Sequence, residues 1–311
     1  MSNSESERRL VSGMRPTEKL NLGHLHGVLK NWVQLQHEYD CFFFVADLQA
    51  LTTNYENSKN IEQYSFETVI DWLAAGVNPG SCTIFLQSKV PEHTELHLLL
   101  SMITPLSWLE RVPSYKDQQA KLNDKELGTY GFLGYPLLQA ADILIYKAGK
   151  VPVEADQVAH IELTREIARR FNHIYGREEG FEEQAEAAIK LMGKKAAKLY
   201  RDLRRSFLEK GDSEALLKAR ALLEEQQNLS IGDQERLYGY LEGGGRIILS
   251  EPEPILAEPN KVDLGEMVER SKQFEEDPDL VKSVIQEGSR KARLIARETL
   301  EEVKEAIGIG H

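Results

Sequence analysis

Apolar runs of strand length alternate with segments of helical periodicity in the first part of the chain. The runs are RRLVSGM (8–14), CFFFVAD (41–47) and SCTIFLQS (81–88). Between them, residues 25–36 and 61–76 place apolar side chains at the spacing of one helix face. Strands that alternate with helices are typical of a parallel sheet whose two faces are both covered. We therefore expect an α/β fold with a doubly wound parallel sheet, and ligands beyond the carboxyl ends of its strands.

The second part of the chain is predicted to be helical. Residues 181–227 are dominated by Ala, Glu, Lys, Leu and Arg and have a break at EKGDSE, which predicts a helical hairpin whose second arm is capped by Asp212 or Ser213. Glycines 243–245 indicate the end of a further helix, because no Lys-Ser or Lys-Thr follows them as in a phosphate loop. We expect a short strand next, and then two helices over 264–308 that are split near EDPDL.

Composition limits the classes of partner and cofactor. The formal net charge is −12, which argues against broad coating of nucleic acid or anionic membrane. The basic segment at 194–207 keeps a tRNA partner open, although a solvated helix face is the preferred interpretation. Cys41 and Cys82 are the only cysteines, so neither a thiolate zinc site nor an iron–sulfur cluster is expected. The polar N-terminus and the short apolar runs predict a cytoplasmic protein with no membrane contact.

Two local features point to a ligand. LNLGHLHG (20–27) places Gly23 and His24 at a predicted strand-to-helix junction, where backbone N–H groups and an imidazole suit a phosphate. The alternative is a helix start with two solvated histidines. Asp142 lies inside the apolar run LLQAADILIY, where a buried carboxylate can accept a hydrogen bond from a ligand N–H. A helix cap or a salt bridge is an equally good interpretation of this carboxylate.

Known catalytic motifs narrow the class by their absence from the sequence. The chain contains no Walker A loop, GxGxxG, HExxH or GxSxG. Their absence argues against a P-loop enzyme, a dinucleotide oxidoreductase and a serine hydrolase. The segment VPVEADQ predicts a short strand that leads into a helix over 157–175, with Asp156 as its N-cap.

Several ordered blocks resemble those of bacterial tryptophanyl-tRNA synthetases, which are class I enzymes. SGMRPTEKLNLGHLHGVLKNW (12–32) is similar to the first signature of the family, with NLGH in the place of the HIGH tetrapeptide. FFFVADLQALTT, GYPLLQAADILIY and DQVAHIELTREIARRFNHIYG resemble further blocks. The resemblance covers most of residues 8–250 and resumes near 265–307. It implies a class I synthetase-type, Rossmann-like sheet with an inserted helical hairpin and a C-terminal helical appendage.

The resemblance, with the composition of each segment, predicts four regions. A Rossmann-like core for nucleotide and amino acid covers residues 1–180. The inserted hairpin and the return to the core cover 181–250. A Pro-rich linker covers 251–263, and a reduced C-terminal helical region covers 264–311.

The family's reaction implies a role for each matching residue. Tryptophan attacks the α-phosphate of Mg-ATP, and the resulting adenylate passes its tryptophanyl group to tRNA. The resemblance places Gly23, His24 and Lys116 in catalysis, and Arg15, Gly23, His24 and Asp156 near ATP. It also implies a homodimer formed through the sheet domain, for which the apolar segment 95–112 is the candidate interface.

The tryptophan site has its own set of matching residues. The resemblance implies that Asp142 accepts the indole N–H, which would discriminate against phenylalanine. Tyr135 and Gln157 match residues near the ammonium and carboxylate groups of the amino acid. Gln139 completes the predicted tryptophan site.

The chain departs from the family pattern on the side of ATP and tRNA. Glu18 stands where the first signature usually has glycine, and Glu154-Ala155 stands where a later block usually reads Gly-Glu. No KMSKS tetrad follows the Pro-rich region; the nearest string is RSKQ (270–273), and much of the anticodon-reading region is missing as well. We therefore expect a tryptophan-binding paralogue in which activation by ATP and charging of tRNA are impaired or lost. The alternatives are a working minimal tryptophan–tRNA ligase, a truncated or engineered chain, and an α/β protein with no tryptophan site.

Overall fold

A computed structural model describes residues 8–16, 28–112, 128–177, 179–256 and 264–310. These residues fall into two compact units. The first, which we call the sheet unit, comprises the described parts of 8–167 and 251–300. The second, which we call the helical unit, comprises the described parts of 168–250 and 301–310.

A five-stranded parallel sheet forms the centre of the sheet unit. Its strands are β1 (Arg9–Met14), β2 (Asp40–Val45), β3 (Cys82–Leu86), β4 (Lys150–Val153) and β5 (Glu253–Leu256). The order in space is β3-β2-β1-β4-β5, and each neighbouring pair is parallel. The three strands predicted in the first part of the chain are confirmed. The chain proceeds outward from β1 to β3 and then returns to the other side of β1, so the topological switch point lies between β1 and β4.

Helices connect the strands and also come after the last strand, and the described residues include 3-10 turns at Tyr55–Asn60, Gln87–Lys89 and Ala155–Gln157. Up to the helical insertion they are α1 (Lys30–Leu35), α2 (Asp47–Asn54), α3 (Ile61–Ala75), α4 (Glu92–Ser101), α5 (Leu106–Glu110), α6 (Tyr130–Leu144) and α7 (Val158–Tyr175). The insertion contains α8 (Phe181–Leu191), α9 (Lys194–Lys210), α10 (Ser213–Glu224) and α11 (Ile231–Leu241). The last two are α12 (Leu264–Glu276) and α13 (Pro278–Ile307). The predicted split between them is confirmed.

Helices pack against both faces of the sheet, which makes the sheet doubly wound as predicted. On one face, Trp32 of α1 stacks on Phe43 of β2 at 4.2 Å between ring centroids and meets Trp72 of α3 edge-on at 4.8 Å. The same cluster includes Met267, Val281 and Ile285 from the two C-terminal helices. These helices therefore help to bury the sheet.

The opposite face carries a second aromatic layer. Phe42 of β2 stacks on Tyr146, just after α6, at 5.0 Å, and Phe44 stacks on Phe85 of β3 at 5.5 Å. This layer contains the buried polar side chains described below.

The helical insertion differs in detail from the predicted hairpin. Its first arm is two helices, α8 and α9, because Gly193 adopts a positive φ of 82° between them. Asp212 caps the second arm by accepting hydrogen bonds from the N–H groups of Glu214 and Ala215, each at 3.1 Å. Gly243, at φ 74°, follows α11, so the glycine-rich segment ends a helix as predicted.

The short strand predicted between the glycine-rich segment and residue 251 is wrong, because residues 246–250 form no strand. The strand that is present there, β5, begins at Glu253, inside the segment predicted to be a Pro-rich linker. There it pairs in parallel with β4 at the edge of the sheet. Proline has no N–H to donate, and it is tolerated in an edge strand because one side of that strand has no neighbour to bond. The four-region division itself stays a prediction.

Within the described part of the chain, no helix is long and apolar enough to cross a membrane.

Candidate functional site

A cavity of about 480 Å³ lies at the carboxyl ends of β1 and β4, at the topological switch point of the sheet. All of its lining residues belong to the sheet unit. The segment after β1 contributes Arg15, and the segment after β4 contributes Glu154 and Gln157. Ligands of open parallel sheets bind at this position because the loops on either side of the switch point diverge.

One face of α6 forms a wall of the cavity. Tyr135, Gln139 and Asp142 follow one another at the spacing of helical turns, and all three line the cavity. The helix begins at a capped end, where the Thr129 hydroxyl accepts a hydrogen bond from the Phe132 N–H at 3.2 Å. The four residues predicted to bind tryptophan, with Gln157 as the fourth, therefore share one cavity with Arg15.

Other predicted site residues cannot be placed. Gly23, His24 and Lys116 lie outside the described residues, and so does the side chain of Asp156. Their roles stay predictions.

The Asp142 carboxylate is fully buried and accepts hydrogen bonds from three side chains. Gln87 Nε2 lies 2.7 Å from Oδ1 and 2.9 Å from Oδ2, and His93 Nδ1 lies 2.6 Å from Oδ1. Gln49 Nε2 lies 2.5 Å from Oδ2. A buried carboxylate without donors would be strongly destabilising, and these contacts account for its presence in the core.

The positions of the two glutamines are fixed by the chain around them. Asp47, at the start of α2, accepts a hydrogen bond from the Ser88 N–H at 2.9 Å, which joins this helix to the turn after β3. Gln87 Oε1 accepts from the Gln49 N–H at 3.2 Å, so Gln87 Nε2 is the atom that faces Asp142. Of these two glutamines only Gln49 lines the cavity.

A second polar pair lies on the cavity wall. His160 Nδ1 is 2.6 Å from Gln139 Oε1, and the His160 ring centroid is 5.7 Å from that of Tyr135. When the imidazole donates to Oε1, the Gln139 amide keeps its N–H groups for other acceptors. His160 also lines the cavity, as does Gln157, which precedes it by three positions.

From the sequence, His93 and His160 could contact a ligand, although a structural role beside apolar runs is the preferred interpretation, and nothing assigns Gln49 or Gln87 to the site. Spacing offered one signal, because His160 follows Gln157 by nearly one helical turn. Gln49, Gln87 and His93 come from separate segments, and only the folded chain brings them to Asp142.

Burial affects the charge of His97, which lies near the site. Burial lowers the pKa of His97, one turn after His93 on α4, although attraction to Asp142 opposes this shift. Burial also raises the pKa values of Cys41 and Cys82 to about 12, so both remain thiols at neutral pH. In the described ranges, no group of three or more His, Cys, Asp or Glu side chains is placed to hold a metal ion.

Comparison with known proteins identifies the family. The model for class I tRNA synthetases (W and Y) matches residues 3–198. The tryptophan–tRNA ligase of Thermotoga maritima is 42% identical over 329 aligned positions, which cover 97% of this chain and 99% of that enzyme. The chain belongs to the tryptophanyl-tRNA synthetase family. The alignment is longer than the 311 residues of the chain, so the Thermotoga enzyme has residues with no counterpart here.

Two further relatives define the extent of the match. The tryptophan–tRNA ligase of Ralstonia nicotianae is 65% identical over 254 residues, which are 82% of this chain but only 64% of the length of that ligase. The crystal structure of tryptophanyl-tRNA synthetase from Campylobacter jejuni, in complex with ADP and tryptophan, matches with a TM-score of 0.64 at 24% identity. It covers 96% of this chain and 99% of the Campylobacter chain, which establishes the synthetase fold.

Proposed function

We propose that this synthetase-family chain binds L-tryptophan in the switch-point cavity, with its indole N–H donating to Asp142. The observation that carries the proposal is a fully buried carboxylate on the wall of a cavity that also contains Tyr135, Gln139 and Gln157. The volume of about 480 Å³ falls in the range of roughly 300–1,000 Å³ that is usual for small-molecule pockets.

Gln49 is the donor that an indole N–H would replace at Asp142. Its Nε2 donates to Oδ2 of Asp142, whereas Gln87 and His93 approach the carboxylate from residues that do not line the cavity. Tryptophan binding therefore exchanges the amide N–H of Gln49 for the indole N–H. Phenylalanine has no N–H to offer, so it would either leave the Gln49 bond in place and fit around it or break that bond without replacing it.

The finer part of the proposal is that activation by Mg-ATP and the charging of tRNA are impaired or lost. Glu154 lines the cavity, and a carboxylate there repels a triphosphate. Glu18 and the absence of a KMSKS tetrad support the same conclusion. Lysines that neutralise the leaving pyrophosphate act mainly in the transition state, so their loss would slow activation by about 10³-fold or more.

A second candidate is a working tryptophan–tRNA ligase. The observation that favours it is the 42% identity with the Thermotoga ligase across 97% of this chain. In that case the chain would bind ATP, Mg²⁺ and tRNA, and other cationic residues would supply the phosphate contacts.

Calorimetry and isotope exchange together test both candidates. The full chain is titrated with tryptophan in the presence and absence of Mg-ATP, and tryptophan-dependent ATP–pyrophosphate exchange is measured at high enzyme concentration. We expect binding without ATP, loss of binding in Asp142→Ala, and exchange at or below about one-thousandth of the rate of an intact ligase.

Two results would decide against parts of this proposal. Robust exchange followed by charging of tRNA would establish the ligase instead. Unchanged affinity in Asp142→Ala would remove the assignment of the tryptophan site.

A homodimer through the sheet unit is part of the same proposal. Leu98, Met102 and Leu106, on and between α4 and α5, are 54%, 70% and 59% exposed, which supports burial by a second copy. Sedimentation equilibrium of the chain and of a Met102→Glu variant tests this, and a monomeric unsubstituted chain at micromolar concentration would contradict it. Cytoplasmic location stays a prediction.

A further inference from the structure

A row of buried, hydrogen-bonded side chains leads from the cavity wall into the core of the sheet unit. His93 Nδ1 lies 2.6 Å from Asp142 Oδ1, and His93 Nε2 lies 2.6 Å from the Tyr146 hydroxyl. All three side chains are fully buried, and neither His93 nor Tyr146 lines the cavity. We propose that His93 and Tyr146 are positioning residues for tryptophan recognition, which hold the Asp142 carboxylate so that Oδ2 faces the ligand. This inference rests on the proposed function.

The direction of the hydrogen bonds follows from the chemistry of the three groups. Burial raises the pKa of Tyr146 well above its usual value, and the nearby charges of Asp142 and Glu92 act in the same direction. The phenol is therefore protonated at neutral pH and donates to His93 Nε2. Donation from the phenol to Nε2 leaves Nδ1 as the ring nitrogen whose proton is donated to Asp142.

The two oxygens of Asp142 are held differently. Oδ1 accepts from His93 and Gln87, and each of these donors comes from a residue that does not line the cavity. Oδ2 accepts from Gln87 at the longer distance of 2.9 Å and from Gln49 on the cavity side. Because a carboxylate oxygen offers two lone pairs, Oδ1 is occupied and Oδ2 is the atom that an indole N–H can reach by displacing Gln49.

Aromatic packing keeps the positioning residues in place. Tyr146 lies 5.0 Å from Phe42 and 5.7 Å from Phe85 between ring centroids, and His93 lies 5.8 Å from Phe44. These strand side chains leave the imidazole and the phenol little freedom to turn. The two polar contacts are those of His93 with Asp142 and of Tyr146 with His93. Loss of either contact would let the carboxylate rotate. The shape of the cavity would be retained, because neither His93 nor Tyr146 lines it.

The test separates the indole hydrogen bond from binding in general. Affinities for tryptophan and for β-(3-benzothienyl)alanine, in which sulfur replaces the ring N–H, are measured by calorimetry with the full chain. The ratio of the two affinities reports the N–H contact. Tyr146→Phe and His93→Leu each remove one donor of the row, whereas His93→Asn keeps an N–H near the position of Nδ1.

Tyr200→Phe is a matched control in the helical unit. The Tyr200 hydroxyl is also buried and donates to the Leu237 carbonyl at 2.6 Å, so its removal has a similar structural cost. We expect the affinity ratio to fall about threefold in Tyr146→Phe and about tenfold in His93→Leu, to recover in His93→Asn, and to stay constant in Tyr200→Phe.

The outcomes distinguish this inference from the proposed function. A ratio near one in the unsubstituted chain would overturn the assignment of Asp142, and the positioning role with it. A large ratio that Tyr146→Phe and His93→Leu leave unchanged would overturn the positioning role alone. If His93→Leu does not fold, Tyr146→Phe against Tyr200→Phe decides.

Discussion

Two buried carboxylates of the sheet unit, Asp142 and Glu92, are held in opposite ways. Asp142 accepts from two amides and an imidazole and lies on the wall of the cavity. Glu92 Oε1 accepts from Arg293 at 2.8 Å and from Arg297 at 3.0 Å, both on α13. Amide donors carry no charge and leave a carboxylate able to attract a further N–H, whereas two guanidinium groups neutralise it. We conclude that the first arrangement suits ligand recognition and the second suits joining of structural elements.

Adjacent positions on α4 support both arrangements, because His93 follows Glu92 directly. Besides the contact with Glu92, α13 packs closely on β3 at Gly288. A Cβ added to this glycine would lie only 1.7 Å from the carbonyl oxygen of Ile84 on β3, so only glycine fits there. The helix and β3 therefore meet backbone to backbone. This packing brings Arg293 and Arg297 into contact with Glu92, about two hundred positions earlier in the chain.

The largest expected effect separates the two carboxylates by ligand affinity. In Asp142→Asn the carbonyl oxygen stays toward the donors His93 and Gln87, and the NH2 group takes the place of Oδ2 and faces the indole N–H. Two donors then meet, so we expect tryptophan affinity to fall by about 100-fold or more. Glu92→Gln is the isosteric control, and its tryptophan affinity should stay within about twofold of the unsubstituted chain. Calorimetric titration measures both. Equal losses of tryptophan affinity in the two variants would contradict the distinction between a ligand-binding Asp142 and a structural Glu92.

Stability should respond in the reverse order. The double variant Arg293→Ala/Arg297→Ala leaves the Glu92 carboxylate buried without its cationic partners, and we expect a loss of about 1–2 kcal/mol in the free energy of unfolding. This value is discounted because the two arginines are half exposed and screened by solvent. Urea unfolding measures it, and tryptophan affinity of the folded variant should not change. A variant as stable as the unsubstituted chain would contradict a structural role for the pair.

Acid should remove the same stabilisation. Burial by itself would raise the pKa of Glu92, but the hydrogen bonds from Arg293 and Arg297 outweigh it and lower the pKa. A lowered carboxyl pKa gives stability that is present above the pKa of the unfolded chain and is lost as the pH falls through the folded value. Unfolding experiments from pH 7 to pH 3 should therefore show the unsubstituted chain and the double arginine variant converging. A constant difference across this range would exclude Glu92 as the titrating group.

The smallest effect concerns the residue that competes with the ligand. Gln49→Ala removes the amide that occupies Oδ2 of Asp142, so the free protein loses one hydrogen bond that an indole N–H can restore. We expect tryptophan to bind up to about fivefold more tightly, which corresponds to about 1 kcal/mol. Thr52→Ala, on the same helix, removes only a local bond to the Gln49 carbonyl and serves as the control. Weaker binding in Gln49→Ala alone would mean that the amide assists the ligand instead of competing with it.

Local sequence signals predicted the elements whose causes are local. Apolar runs identified β1 to β3, and Asp212 was one of two residues predicted to cap α10, as it does. The sequence missed β5, because two prolines in EPEPIL indicate a linker when the neighbouring strand is unknown. It also missed the break at Gly193, since helix-forming residues continue on both sides of this glycine.

The candidate site divides in the same manner. Tyr135, Gln139 and Asp142 were predicted together from the resemblance to the synthetase family, and the structure places all three on one helix. Gln49, Gln87 and His93 could not be predicted together, because three segments that follow different strands deliver them. Patterns within a few residues of sequence do not predict which distant segments meet in the folded chain.

By itself, the sequence determined the alternation of strands and helices in the first part of the chain, the parallel sheet, and an acidic residue in an apolar run. These follow from side-chain periodicity, which acts over a few residues. Only the tertiary structure decided which donors surround that carboxylate and how they divide between its two oxygens. The physical reason is that a buried charge must find its partners wherever the packed chain brings them, whatever their separation along the sequence.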